Sequence, residues 1–276
     1  MEATTDLEHF ARQMRLRVLD LCHQKRTSHL GGSFSVADVL AVLYGGGVLD
    51  VRPETAESPD RDRLYYSKGH ACAALYAALE LRGFFEPGAL LRDFTADGTY
   101  FTSHVNHKLP GVELSTGSLG HALGVACGVA LAGVRRKRPH TVFAILSDGE
   151  LDEGSNWEAI LFAAHNRLDN LVAIIDYNKI QSFGSVSEVM ELEPLADKFR
   201  AFNWDVTEVD GHALPELREA LRGAKSRRAG RPKCLIAHTV KGKGVGFMEN
   251  SLAWHYKSPS AQDVEAARKE LGASHA

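Results

Sequence analysis

Two short stretches of the chain carry oxygen donors at a spacing that suits a metal ion bound to phosphate. Ser147-Asp148-Gly149-Glu150-Leu151-Asp152-Glu153-Gly154 follows one apolar run, and Asn178-Lys179-Ile180 follows the next. Asp148 and Asn178 lie 30 residues apart, the size of one β-α-β unit, so neighbouring parallel strands would end with a carboxylate and an amide oxygen side by side. Hard donors of that kind suit Mg2+, which commonly takes a carboxylate and leaves positions for substrate phosphates. A helix starting near Gly154 would turn its free main-chain amides toward a diphosphate. Asp-Gly by itself is a common turn dipeptide. The full set, Asp-Gly, then Glu153-Gly154-x-x-x-Glu158-Ala159, then Asn178, is far more specific.

Histidine supplies the second chemical signal. The chain has 13 histidines among 276 residues, and five of them sit in distinctive contexts. These are Ser28-His29-Leu30-Gly31-Gly32, Ser67-Lys68-Gly69-His70-Ala71, Ser103-His104, Gly117-Ser118-Leu119-Gly120-His121 and Trp254-His255. They are too widely spaced for one local metal motif. Neutral imidazoles drawn into one pocket suit proton transfer near neutral pH and hydrogen bonding to a polyhydroxylated substrate. His121 is at least as well explained by a core position. Two glycine clusters, Gly117-x-x-Gly120-x-x-x-Gly124 and Gly242-x-Gly244-x-Gly246, do not fit the G-x-G-x-x-G of a dinucleotide site in a strand-turn-helix context.

The elements that must hold these residues follow from periodicity. Thr141–Leu146, Leu171–Tyr177, Asp205–Val209 and Lys233–Thr239 read as strands; Asn156–Arg167, Leu195–Phe202 and Pro215–Ala224 read as helices between them. That alternation predicts an α/β fold, a doubly wound and mostly parallel sheet with helices on both faces. The first half reads as more helical, over Leu7–His23, Val36–Tyr44, Ala71–Arg82 and Leu119–Ala132. Val51–Arg63, rich in Pro, Glu and Asp, and the tail from Pro259 carry the weakest signals. One domain, with a core at about 7–260 and a tail at 261–276, accounts for the length. Ligands in such sheets bind beyond the carboxyl ends of the strands, where the unusual residues fall.

Composition removes several classes. A net charge of −3 and a pI near 6.5 give no electrostatic case for nucleic acid or an anionic membrane. Cys22, Cys72, Cys127 and Cys234 are scattered without a C-x-x-C pair, as reduced thiols in a cytoplasmic protein would be. Met1–Phe10 does not read as a secretory signal, and no apolar run approaches the ~20 residues that span a bilayer.

The Asp148–Asn178 set resembles the diphosphate motif of thiamine diphosphate enzymes, and the histidine contexts resemble transketolase in particular, from about residue 7 to 260. His104–Gly120, with Leu109-Pro110-Gly111-Val112-Glu113 and Ser115-Thr116-Gly117-Ser118-Leu119-Gly120, is similar to the family's approach to the aminopyrimidine. Thr239-Val240-Lys241-Gly242-Lys243-Gly244, followed by Glu249-Asn250 and Trp254-His255, is similar as well. Ser147 stands where the family usually has Gly, which a negative φ would permit. Tyr256 stands where a Gly usually follows the histidine, which implies a narrower or reshaped rim.

The resemblance implies thiamine diphosphate and Mg2+ (or Ca2+ or Mn2+) as cofactors, with Asp148, Asn178 and the carbonyl of Ile180 on the metal. It places His70, Gly149 and Lys241 on the diphosphate side and the main chain at Gly117 and Leu119 by the aminopyrimidine. It gives His29, His104 and His255 the ketose hydroxyls and proton movement at the C2–C3 bond. Glu153 is expected in a carboxylate chain linking paired cofactor sites, and Gln181 at the pocket wall. The implied activity is transfer of a two-carbon ketol unit from a ketose phosphate to an aldose phosphate. Long transketolases continue past the diphosphate domain into a pyrimidine domain, so a separately encoded C-terminal subunit is expected as partner, in an α2β2 assembly with little activity from this chain alone. The α subunit of a 2-oxo acid dehydrogenase is the nearest rival. It shares the Asp-Gly…Asn geometry but has no sugar hydroxyls to bind, hence no need of His29, His70, His104 and His255. A catalytically silent subunit of the same fold is the rival from another class.

Overall fold

The computed structural model describes residues 2–272. A five-stranded, wholly parallel sheet forms its centre, with strands β1 (Arg63–Tyr66), β2 (Val142–Ser147), β3 (Leu171–Tyr177), β4 (Asp205–Asp210) and β5 (Lys233–His238) in the order β1-β2-β3-β5-β4. Every residue of β2 and β3 is buried, as continuous apolar runs covered on both faces must be. β2 and β3 pair with Ser147 opposite Asp176, and β3 and β5 with Tyr177 opposite His238. This register brings the chemically unusual residues that follow each strand to one edge.

Two apolar layers cover the sheet. On one side Phe143, Ile145, Val172, Ile174 and Leu235 pack against the N-terminal helices. On the other Ala144, Leu146, Ala173, Ile175 and Ile236 meet the helices Ala122–Arg135 and Gly154–His165. The helix Glu2–Gln24 buries Leu7, Ala11, Met14, Val18 and Leu21 along one stripe, the spacing of a helix with a single core-facing side. Among the described residues no helix is long and apolar enough to cross a membrane.

The doubly wound parallel sheet expected from the sequence is the one found, and the four predicted strands are present within one or two residues. A fifth, β1, lies just beyond the weak segment Val51–Arg63. Its four residues are too few to show a period, and its burial comes from the neighbouring β2. The stretch 261–276 is not wholly a tail. Ala261–Glu270 is a helix opened by a capping box, with Ser260 Oγ accepting from the Asp263 N–H, and Arg268 pairs with Asp20 of the first helix. Residues 273–276 of that expectation lie outside the described ones. Val36–Tyr44 is broken into Ala37–Leu40 and a wider turn, Ala41–Gly45. The helix expected at Leu119 begins at Ala122, because Gly120 takes a φ of 83° that a helix cannot use.

Candidate active site

The carboxyl ends of β1, β2, β3 and β5 deliver four turns to one cleft of about 270 Å3. Ser67-Lys68-Gly69-His70 follows β1, Asp148-Gly149 follows β2, Asn178–Ser182 follows β3, and Lys241 follows β5. His29, Gly117, Leu119, His255 and Tyr256 complete the wall from loops. Gly69 is required by close approach, since a Cβ there would stand 2.3 Å from the carbonyl oxygen of Thr116. That contact presses the His70 turn against the loop that carries Gly117.

On the diphosphate side Asp148 is almost fully buried, and its two oxygens accept main-chain N–H groups from Gly149 (2.8 Å) and Lys179 (2.6 Å). Burial, with Asp176 nearby, pushes its carboxyl up to about 6. A buried carboxylate without a cationic side chain bonded to it remains able to accept a metal ion. Asn178 Oδ1 accepts the Ile180 N–H at 3.2 Å, and the Ile180 carbonyl accepts Lys241 Nζ at 2.9 Å. Among the described residues no group of three or more His, Cys, Asp or Glu could hold a metal. The available set is instead one carboxylate, one amide oxygen and one main-chain carbonyl, which fits a hard cation that keeps phosphate and water in its remaining positions. Burial also lowers Lys241 to about 8.

The imidazoles meet beside these donors. Ring centroids of His29 lie 5.1 Å from His255, 5.4 Å from His70 and 6.4 Å from His104. The His29 N–H donates to the His255 carbonyl at 3.0 Å, and the Gly242 N–H to the Gly31 carbonyl at 3.0 Å. These bonds tie the N-terminal loop to the one after β5. His29 itself holds a φ of 67°, a left-handed conformation uncommon for a non-glycine residue. Burial lowers His29 to about 4 and His255 to about 3, helped by His104 and Lys241 for the first and Lys241 and His29 for the second. His70 is lowered too, by burial and then by Lys68. These three rings are therefore neutral at pH 7.

Over residues 7–276 the sequence matches the family described as transketolase, thiamine diphosphate binding domain. The chain belongs to the transketolase family. It is 42% identical over 271 residues to the 6-deoxy-6-sulfo-D-fructose transketolase subunit SqwG of Clostridium sp. (strain MSTE9), a match covering 98% of each chain. It is 38% identical to an apulose-4-phosphate transketolase subunit of Phocaeicola vulgatus, over 96% of this chain and 93% of that one. Among solved structures, transketolase from Leishmania mexicana superposes with a TM-score of 0.91 at 30% identity, over 97% of this chain and 41% of that one. The chain thus spans about two fifths of that longer transketolase and nearly all of the two subunit-type relatives. Transketolase-type catalysis with thiamine diphosphate is the activity these matches support, and the 2-oxo acid dehydrogenase reading is not favoured.

Within this transketolase fold, the cleft gathers His29, His70, Gly117, Leu119, Asp148, Gly149, Asn178, Ile180, Gln181, Lys241 and His255 from the sequence-based set. His104 stands just outside, in an adjoining cavity. Glu153 and His121 do not enter the cleft; each is exposed and precedes a helix without a capping side-chain bond. Ser147 ends β2 and is not among the residues of positive φ, so its side chain is accommodated as expected. Tyr256 is 59% exposed and sets its ring 4.6 Å from that of His255, at the rim.

Sequence reasoning missed the buried charges beneath the cleft. Lys68 pairs with Asp176 and donates to the Gly32 carbonyl at 3.0 Å; Asp176 also accepts from Ser35 (2.6 Å) and Thr239. Glu150 accepts from Ser67 and from the Gly120 N–H at 2.9 Å, joining the β1 turn to the Gly117–Gly120 loop. One signal was available: an acid inside the otherwise apolar run Leu171–Tyr177, which cannot stay buried without partners.

Proposed function

We propose that this chain is the diphosphate- and metal-holding part of a cytoplasmic transketolase, completed by a separately encoded pyrimidine-domain subunit in an α2β2 assembly. The observation that carries this reading is the convergence of His29, His70 and His255 with Asp148, Asn178 and Lys241 in a single cleft. In it Asp148, Asn178 and the Ile180 carbonyl hold Mg2+, or Ca2+ or Mn2+ in its place. His70, the Gly149 amide and Lys241 hold the diphosphate, and the main chain at Gly117 and Leu119 meets the aminopyrimidine. Bound thiamine diphosphate supplies the carbon nucleophile and the electron sink for cleavage of a C–C bond beside a ketone.

The chain's own residues orient the sugar and move its protons. His29, His104 and His255 present ring nitrogens to the ketose hydroxyls. A neutral imidazole can take the proton of the C3 hydroxyl as the C2–C3 bond breaks and return it to the acceptor. An anionic diphosphate beside Lys241 would raise His29 and His255 toward the range in which such transfer is effective. Glu153, exposed at the start of its helix, suits contact with a second copy rather than with the cofactor. The relatives named for 6-deoxy-6-sulfo-D-fructose and apulose 4-phosphate support a sugar ending in an oxyanion as the substrate class.

A coupled ketol-transfer assay with thiamine diphosphate, Mg2+, a ketose phosphate and an aldose phosphate tests the proposal. It is run on this chain alone and mixed with a pyrimidine-domain chain encoded beside it. Activity in the mixture alone is expected. Equal activity from this chain alone would overturn the two-chain arrangement, and a mixture that binds no cofactor would overturn the site.

A further inference from the structure

Lys241 stands on a turn, Thr239-Val240-Lys241-Gly242, that leaves β5 for the cleft. Most of the bonds that hold this turn run from main chain to main chain. The Thr239 N–H donates to the Tyr177 carbonyl at 3.2 Å, the Gly242 N–H to that of Gly31 at 3.0 Å, and the Lys241 carbonyl accepts the Asn250 N–H at 2.9 Å. The Val240 N–H, directly before Lys241, differs. It donates to a side chain, Nε2 of His212, at 2.8 Å.

His212 belongs to the turn that follows β4. The Gly211 N–H donates to the His238 carbonyl at 2.8 Å and Asp210 Oδ1 accepts the His212 N–H at 2.8 Å, which fixes the histidine main chain beside the end of β5. The ring is fixed from its far side as well. Nδ1 lies 2.6 Å from Asp38 Oδ2. Asp38 in turn accepts from Arg15 at 3.1 and 2.7 Å, and Arg15 also donates to the Phe34 carbonyl at 3.0 Å. Burial works against the Asp38 charge, yet Arg15 and His212 hold its carboxyl below the ordinary range. A main-chain N–H can only donate and an ionised carboxylate can only accept. The ring therefore carries its one proton on Nδ1 and offers a lone pair at Nε2. Arg15, Asp38, His212 and Val240 thus form a line from the first helix to the residue before Lys241. It is the arrangement by which an outer carboxylate sets the tautomer of a histidine.

We infer that His212 is a positioning residue for the diphosphate. Both its ring nitrogens are engaged by protein, and it lies outside the lining of the cleft. By accepting the Val240 N–H in its one tautomer, it fixes the turn that sets Lys241 Nζ 2.9 Å from the Ile180 carbonyl and 2.9 Å from His255 Nδ1. A diphosphate arriving beside Asp148 then finds the ammonium in place, and none of its binding energy is lost in ordering the turn. The inference rests on the transketolase reading above, which puts Lys241 on the diphosphate side, and adds to it a residue the cleft does not contain.

The test uses the reconstituted two-chain enzyme and two variants that separate the two ring bonds. In His212→Asn the side-chain amide takes the place of Nδ1 and keeps a donor for Asp38, but it is too short to reach Val240. In His212→Gln the side-chain oxygen reaches the place of Nε2 and keeps an acceptor for Val240. Mg2+-dependent affinity for thiamine diphosphate, measured by calorimetry, is expected to fall about tenfold in His212→Asn and to stay within about threefold of wild type in His212→Gln. Unchanged affinity in His212→Asn, or an equal loss in both variants, would overturn the role. The same change is then made beside Lys241→Gln, which keeps a neutral donor. If His212 acts through Lys241, its effect there shrinks to less than about twofold. A loss that stays tenfold would mean that His212 supports the fold at large. A third arm reads the tautomer directly in enzyme carrying nitrogen-15-labelled histidine, the His212 signal being the one lost in either variant. A ring protonated on Nδ1 alone is expected at neutral pH; one protonated on Nε2, or on both nitrogens, could not accept the Val240 N–H and would overturn the role. These affinity ratios in an assembly without ketol transfer would leave His212 in its role and overturn the proposed activity instead.

Discussion

Asp148 and Asp176 sit at the ends of adjacent strands, yet the protein treats them in opposite ways. Asp176 is enclosed by Lys68, Ser35 and Thr239, and although burial works against its charge, Lys68 and these hydrogen bonds hold its carboxyl below the ordinary range. Among the described residues Asp148 has main-chain N–H groups alone as hydrogen-bond partners, and its carboxyl is pushed up to about 6. The first charge is completed from within, so the turns after β1, β3 and β5 are locked together before any ligand arrives. The second is left to be completed from outside. A ligand site of this kind is a gap in internal charge compensation built on top of a network that has none.

Breaking the closed network should cost most. Asp176→Ala leaves Lys68 buried without its partner and is expected to destabilise the fold by about 3–5 kcal/mol in denaturant unfolding. The double change Lys68→Met with Asp176→Leu should recover much of that loss, because neither charge then remains. A double variant as unstable as the single one would show that the pair does more than compensate itself.

On the open side, His29→Asn should lower kcat of the reconstituted enzyme by about 100-fold or more, with little effect on stability, if the imidazole moves a proton. A change confined to KM would reduce His29 to a binding role.

Asp148 makes a prediction about pH in the absence of metal and cofactor. Its folded value of about 6 lies above the 3.8 of an ordinary aspartate, so the ionised group costs stability above pH 6, and the cost fades as the pH falls toward 4. Asp148→Asn should therefore stabilise the chain above pH 6 by up to about 3 kcal/mol in chelator. His29 and His255 act in the opposite sense, because their folded values of about 4 and 3 lie below 6.5. Above pH 6.5 they add nothing; below it the unfolded rings take up protons that the folded ones refuse, so stability falls with the pH, partly offset by Asp148 between about pH 6 and pH 4. Thermal unfolding from pH 8 to pH 4 checks both slopes.

Gly69 joins the two regions, with Lys68 before it in the closed network and His70 after it in the open cleft. Gly69→Ala, whose Cβ would press on the Thr116 carbonyl, should cost about 1–3 kcal/mol and weaken cofactor binding together with stability. Loss of one without the other would separate the regions.

The open region was the more legible in the sequence, and the comparison says why. Asp148 and Asn178 follow predicted strands at the spacing of one β-α-β unit, so local pattern alone brought them together. The histidines sit in short polar contexts that stand out even though loops and left-handed turns hold them. The closed network is written in long-range pairs: Lys68 meets Asp176 across 108 residues of sequence, and neither neighbourhood announces the other. β1 escaped notice for a similar reason, since its four residues are buried by β2 rather than marked by their own period.

The most direct test of the open carboxylate is Mg2+-dependent binding of thiamine diphosphate, measured by calorimetry on the wild-type and Asp148→Ala assemblies with circular dichroism as a check on the fold. Loss of Mg2+-dependent affinity in a folded variant is the predicted result. Wild-type affinity in Asp148→Ala would contradict the assignment of the metal and diphosphate site.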